Sequence, residues 1–124
     1  MLQGTDKNIL GVLKSADMNS TSDQAIKISS PKYIIRRVVA CNASVNLTTA
    51  AGGFYTAAAK GGTAIIDNTQ VYTALTASTK FVDLTLGSIL GTDTRTEGTL
   101  YFSLTTAQGA AATADIYIIG DSLP

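Results

Sequence analysis

Few side chains in this sequence are equipped for chemistry, and the spacing of those few decides what they can do. Asp93, Arg95 and Glu97 form the one close cluster of carboxylates. A pair of acids can hydrolyse a glycosidic bond when one is held protonated and the other ionised. Here alternation along an extended loop would place all three residues on one side, and Arg95 between the acids would keep both ionised. That is the wrong state for a general acid, so the cluster is expected to be solvated loop charges or an ion pair between subunits. Asp6, Asp67 and Asp93 do not fit a calcium-loop pattern. In Lys60-Gly61-Gly62 the lysine and glycines stand in the wrong order for a phosphate loop, and no helix is expected after them.

The wider inventory narrows the chemistry further. The sequence has no histidine and no tryptophan, which removes the ordinary catalytic triad, the histidine-ligated zinc site and the commonest general base. Cys41 is the one cysteine. It has no partner for an intrachain disulfide, and in an apolar strand it is expected to be an inert buried thiol. Neither enzymatic activity nor a cofactor or metal is expected.

Arg36-Arg37 is a different kind of signal. Adjacent residues in a strand point to opposite faces, so one of these arginines would face the core and require a partner. Two arrangements answer that demand. A local bulge can leave both arginines near a sheet edge, or the outer face of the strand is an interface with one arginine pairing across it. Tyr101 and Tyr117 are expected on outward faces, where they can fill an interface pocket or stack on a sugar. Asn19, Asn42 and Asn46 begin glycosylation sequons, a number that chance supplies in a Ser/Thr-rich chain.

These residues must be positioned by strands. From Gln24 onward the pattern is β: Ile26 and Ile28 alternate with Ala25 and Lys27, and Lys32 to Asn42 is a long β-branched run expected to be a central strand. Phe54–Ala58 and Thr63–Ile66 flank Lys60-Gly61-Gly62 as a hairpin. Three later runs alternate with period two. Their inward sets are Val82, Leu84 and Leu86, then Leu100, Phe102 and Leu104, then Ala114, Ile116 and Ile118; Asp115, Tyr117 and Ile119 face outward. Residues 67–79 fit a helical turn or an irregular strand equally well. Leu47-Thr48-Thr49-Ala50 recurs as Leu104-Thr105-Thr106-Ala107, each expected to close a strand.

About eight short strands with frequent turns predict a single-domain antiparallel β-sandwich over residues 23–124, jelly-roll-like, with an immunoglobulin-like sandwich as the alternative. Residues 1–22 are set apart as an N-terminal arm. Its apolar positions Ile9, Leu10, Val12 and Leu13 either dock on the domain or reach a neighbour. With Arg36, Arg37, Tyr101 and Tyr117 they make up the candidate interface residues.

Charge and hydropathy agree with association. Only 15% of the 124 residues are charged, against about 25% in ordinary soluble domains. Nine basic residues balance nine acidic ones. A neutral, charge-poor surface resists its own kind weakly, and scattered basic residues leave no electrostatic footprint for nucleic acid. No run approaches the roughly 20 apolar residues of a membrane-spanning helix, and no secretory signal is expected at the N-terminus.

Several phrases are familiar together. They are residues 16–26 (ADMNSTSDQAI), 33–39 (YIIRRVV), 47–64 (LTTAAGGFYTAAAKGGTA) and 104–110 (LTTAQGA). The chain from about residue 16 onward resembles small proteins of tailed-bacteriophage structural gene clusters. The resemblance implies a virion component. Small β-sandwich proteins of such clusters commonly decorate the capsid as cement proteins, often as trimers at local three-fold positions, and others serve in the head–tail junction or tail. The expected partners are thus the major capsid protein and further copies of the chain as a homotrimer, with no direct nucleic-acid or membrane contact. The expected location is the capsid surface of the virion, after synthesis in the bacterial cytoplasm. A carbohydrate-binding module on the virion surface is the alternative from another class.

Overall fold

The period-two alternation read in the sequence is the alternation seen in space. Leu100, Phe102, Leu104, Ile116 and Ile118 are all fully buried, with Ala114 beside them. The computed structural model describes residues 8–77, 81–87 and 93–123. Among them are eight strands: β1 (Asn8–Asp17), β2 (Gln24–Lys27), β3 (Tyr33–Cys41), β4 (Ala51–Ala57), β5 (Gly61–Ile66), β6 (Phe81–Asp83), β7 (Thr99–Thr106) and β8 (Thr113–Ser122). They form two four-stranded sheets, β1-β8-β3-β6 and β2-β7-β4-β5, called the first and second sheets below. Every strand pairing is antiparallel. The protein is an all-β, two-sheet antiparallel sandwich.

Successive strands mostly change sheets. Among the described residues only β4 and β5 follow one another within one sheet, joined by a tight turn in which Gly61 N–H donates to Ala58 O at 3.1 Å. Each sheet therefore buries its inner face against strands supplied from elsewhere in the chain. The core is aromatic at its centre: Phe54 and Phe102 stack at 5.0 Å between centroids, and Tyr72 meets Phe102 edge-on at 6.3 Å. Such ring pairs add about 0.5–1.5 kcal/mol beyond the area they bury.

Of the segment set apart as an arm, residues 8–17 dock on the domain as a strand of the sandwich. They are β1, an edge strand of the first sheet paired along β8 from Asn8–Gly120 to Asp17–Thr113. Counting apolar positions underrated it, because Ala16 and Met18 also bury almost completely beside Leu10. Main-chain bonds complete the anchoring. Ser29 N–H donates to Leu10 O at 2.9 Å, and Met18 N–H to Ala112 O at 2.9 Å. Residues 1–7, with Asp6, lie outside the described residues.

Between β5 and β6, residues 67–77 carry an isolated antiparallel bridge from Val71 to Ala51, with turns on either side of it. Tyr72 and Leu75 are fully buried on a turn closed by Leu75 N–H to Tyr72 O at 2.9 Å. Residues 78–79 of that stretch lie outside the described residues. The repeated Leu-Thr-Thr-Ala phrase resolves differently from expectation. Leu104–Thr106 closes β7, whereas Leu47–Ala50 leads into β4. The two copies meet at Gln108, whose side-chain oxygen accepts from both Thr49 and Ala50 N–H at 3.0 Å.

Gly120 shows how closely the strands approach. It lies opposite Ile35, beside a break in the β3–β8 register. A Cβ at this position would run into the carbonyl oxygen of Ile34. Because the obstacle is backbone, it has little room to give. Gly120→Ala is expected to destabilise the fold by about 1–3 kcal/mol, read as a lower urea midpoint with an unchanged slope.

Candidate functional site

The break beside Gly120 is also what orients the two arginines. Ile35 pairs with Gly120 and Arg37 with Ile119, so Arg36 is an extra residue without a register partner. A bulge of this kind re-aims side chains. It lets Ile35 and Val38 both enter the core while Arg36 and Arg37 both turn outward. Of the two arrangements read from the sequence, the bulge is the one found, on a part of β3 that pairs with β8 and lies beyond its pairing with β6 at residues 39–41. The arginines have partners within the chain: Arg36 contacts Asp121 at 2.7 Å and Arg37 contacts Asp83 at 2.8 Å. Both are half exposed, so each pair contributes roughly 0–1 kcal/mol.

At the other end of the sheet a second carboxylate is better protected. Asp115 is 7% exposed. It accepts from Ser15 N–H at 2.8 Å, Asn42 Nδ2 at 2.9 Å and Lys14 Nζ at 3.1 Å. Ser15 and Asn42 both have positive φ, 52° and 54°, conformations that L-residues adopt at a cost. One carboxylate thus holds the β1 bulge between Leu13 and Ala16 and the exit of β3 together. Burial is the largest influence on Asp115 and pushes its pKa up. The three donors together outweigh burial and hold it below the usual carboxylate range. The same contact raises the pKa of Lys14.

Between these two charged ends the outer face is apolar. Register rows set Val12, Tyr117 and Val39 side by side across β1, β8 and β3, ending at Asp83 of β6. The next rows are Ile9–Ile119–Arg37 and Asp115–Cys41–Phe81. Ile9 and Phe81 are about half exposed, at 53% and 51%, and Val12 is 38% exposed. Lys14 Nζ lies 6.0 Å from the Tyr117 ring centroid, within reach of a weak cation–π contact.

Of the eight candidate residues, Ile9, Val12, Arg36, Arg37 and Tyr117 come together on this face. Leu10 is buried in the core and Leu13 packs against it. Tyr101 lies on the outer face of the second sheet, opposite Ala25 and Tyr55. Tyr101 and Tyr117 are therefore on opposite sides of the sandwich and share no platform. Sequence reasoning missed Val39, Phe81, Asp83 and Asp121. Alternation had already turned Asp115, Tyr117 and Ile119 outward, and the strand pairing that aligns them with β3 and β6 was the missing information.

The remaining chemical candidates are tied into the fold. Arg95 donates to Glu97 through two bonds, at 3.1 and 2.7 Å, and that contact holds the Glu97 carboxyl below its usual range. Tyr33, fully buried, donates to Glu97 O at 2.7 Å; burial, then the nearby Glu97 charge, pushes its phenol up to about 12. Burial also raises the Cys41 thiol, with Asp115 adding to it, so little reactive thiolate forms. Lys60 Nζ donates to Ser103 Oγ at 2.9 Å and to Thr21 O at 3.2 Å. Ser103 is completely buried, which makes this contact a brace under the β4–β5 turn and not an accessible nucleophile. An open cleft of about 410 Å³ lies between Asp67–Val71 and Thr85–Gly87.

No family model, curated protein or solved structure matches this chain.

Asp115 and Arg37 give contrasting expectations. Asp115→Ala leaves the Ser15 and Asn42 donors without their acceptor and is expected to cost about 1–3 kcal/mol at neutral pH. Since the folded carboxyl is held below the ordinary value of about 3.9, its contribution is complete above that value. It disappears as the pH falls through the folded pKa. Thermal melts should therefore show the gap between wild type and Asp115→Ala closing below about pH 4, while Arg37→Ala shifts stability by less than about 1 kcal/mol throughout.

Proposed function

We propose that this chain is a non-enzymatic structural protein of a tailed-bacteriophage virion. In this reading it is a capsid decoration (cement) protein that stabilises the head by binding at joints between major capsid protein subunits. The observation that carries the reading is the two-sheet sandwich with two broad faces, one for each sheet. The outer face of the first sheet is apolar at its centre, its charges are matched within the chain, and a rigid sandwich presents it. A cement protein acts by covering joints many times over, so modest contacts accumulate through mass action and avidity.

The finer architecture we assign is a jelly roll. The strand order β1-β8-β3-β6 over β2-β7-β4-β5 supports it, because it is the order produced by two interleaved four-stranded antiparallel keys. Such a fold leaves two broad faces and short edges, which suits a protein that works by contact. The major capsid protein and further copies of the chain, in the trimer implied by the resemblance, are the partners in this reading. The capsid surface is the location.

Quantitative mass spectrometry of purified particles tests the proposal. A copy number within a few-fold of the major capsid protein is the expected result. A few copies per particle would reassign the chain to the head–tail junction or tail, and absence from the particle would overturn the structural reading.

A further inference from the structure

Among the described residues, three of the five exposed large hydrophobic side chains (Ile9, Val12 and Phe81) stand on the outer face of the first sheet. Val39, Tyr117 and Ile119 fill the space between them. We propose that this face is a self-association surface, buried against the same face of a second copy of this chain.

Area supports a homotypic pair. Four strands about 4.8 Å apart, each up to ten residues at about 3.3 Å per residue, make a face of roughly 500 Å². Two such faces together reach roughly 1,000 Å², the lower bound of a specific interface. A face meeting itself across a two-fold axis is the simplest closed arrangement. A trimer would need a second, different surface.

Charge favours the same occupant. The face carries Lys14, Arg36 and Arg37 against Asp115, Asp121 and Asp83, each cation within 3.1 Å of its own carboxylate. The patch is neutral and its ion pairs enter contact already formed, so an identical neutral patch meets it without repulsion. A strongly charged partner would gain little from it. Pairing through the exposed edge of β1 is disfavoured instead. Register breaks between Ile9 and Gly11 and between Leu13 and Ala16 disrupt that edge, and Ser29 N–H already occupies Leu10 O.

Sedimentation equilibrium of the purified protein from roughly 1 to 500 µM tests this directly. The expected result is a reversible monomer–dimer equilibrium. Val12→Lys and Phe81→Ser, both at exposed positions, should each weaken it by about tenfold or more, with melting curves unchanged at concentrations where the wild type is monomeric. Val71→Lys, exposed at 52% outside this sheet, should leave it intact. A monomer at every concentration overturns the proposal, including one that binds capsids in that state. So does an oligomer that both face substitutions leave unchanged. The inference stands on the face and not on the virion reading: a dimer absent from particles would keep the first and remove the second.

Discussion

Strand β8 hydrogen-bonds to β1 on one side and β3 on the other along nearly its whole length, and both sides of the sandwich take their identity from that register. Its inward residues Ala114, Ile116 and Ile118 belong to the core, while its outward residues Asp115, Tyr117 and Ile119 build the middle of the outer face. A slip by one residue would exchange the two sets. It would place a carboxylate in the hydrophobic core and expose three apolar side chains. The hydrophobic effect therefore fixes the outer face indirectly, since the core tolerates only one register.

Two departures from regular pairing adjust what this register presents. The extra residue Arg36 in β3 rotates a two-arginine sequence so that neither guanidinium enters the core, and each finds an aspartate on the neighbouring strand. The irregularity at Lys14-Ser15 in β1 brings a backbone donor and an ammonium to Asp115, which would otherwise be a costly buried charge. The glycine beside the first bulge and the left-handed Ser15 in the second are the local costs. A charge-paired surface on a continuous sheet is the result.

How much of this is legible in the sequence depends on whether a feature is local. The alternation of Leu100–Leu104 and Ala114–Ile118 carries its own period, and a β-branched run announces β3 as an interior strand. Gly61 and Gly62 likewise mark the β4–β5 turn. β1 is less legible because two bulges break its period and because Ala16 and Met18, weak signals by type, supply half of its anchoring. The partners of Arg36, Arg37 and Asp115 are illegible for a plainer reason. They lie 85, 46 and 73 to 101 positions away, and only the pairing of β3 with β8 and β6, and of β8 with β1, brings them near. The candidate face had five of its members named from sequence, because outwardness is a local property; that they share one face is not.

The same distinction applies to the ion pairs. Among the described residues four ion pairs form, Arg95 with Glu97, Arg36 with Asp121, Arg37 with Asp83 and Lys14 with Asp115, and only the first joins sequence neighbours. Hydrogen bonds from their partners hold the Glu97 and Asp115 carboxyls below the usual carboxylate range. Charges already neutralised within the chain lose less when water leaves. The outer face of the first sheet therefore enters any contact with its ion pairs already formed.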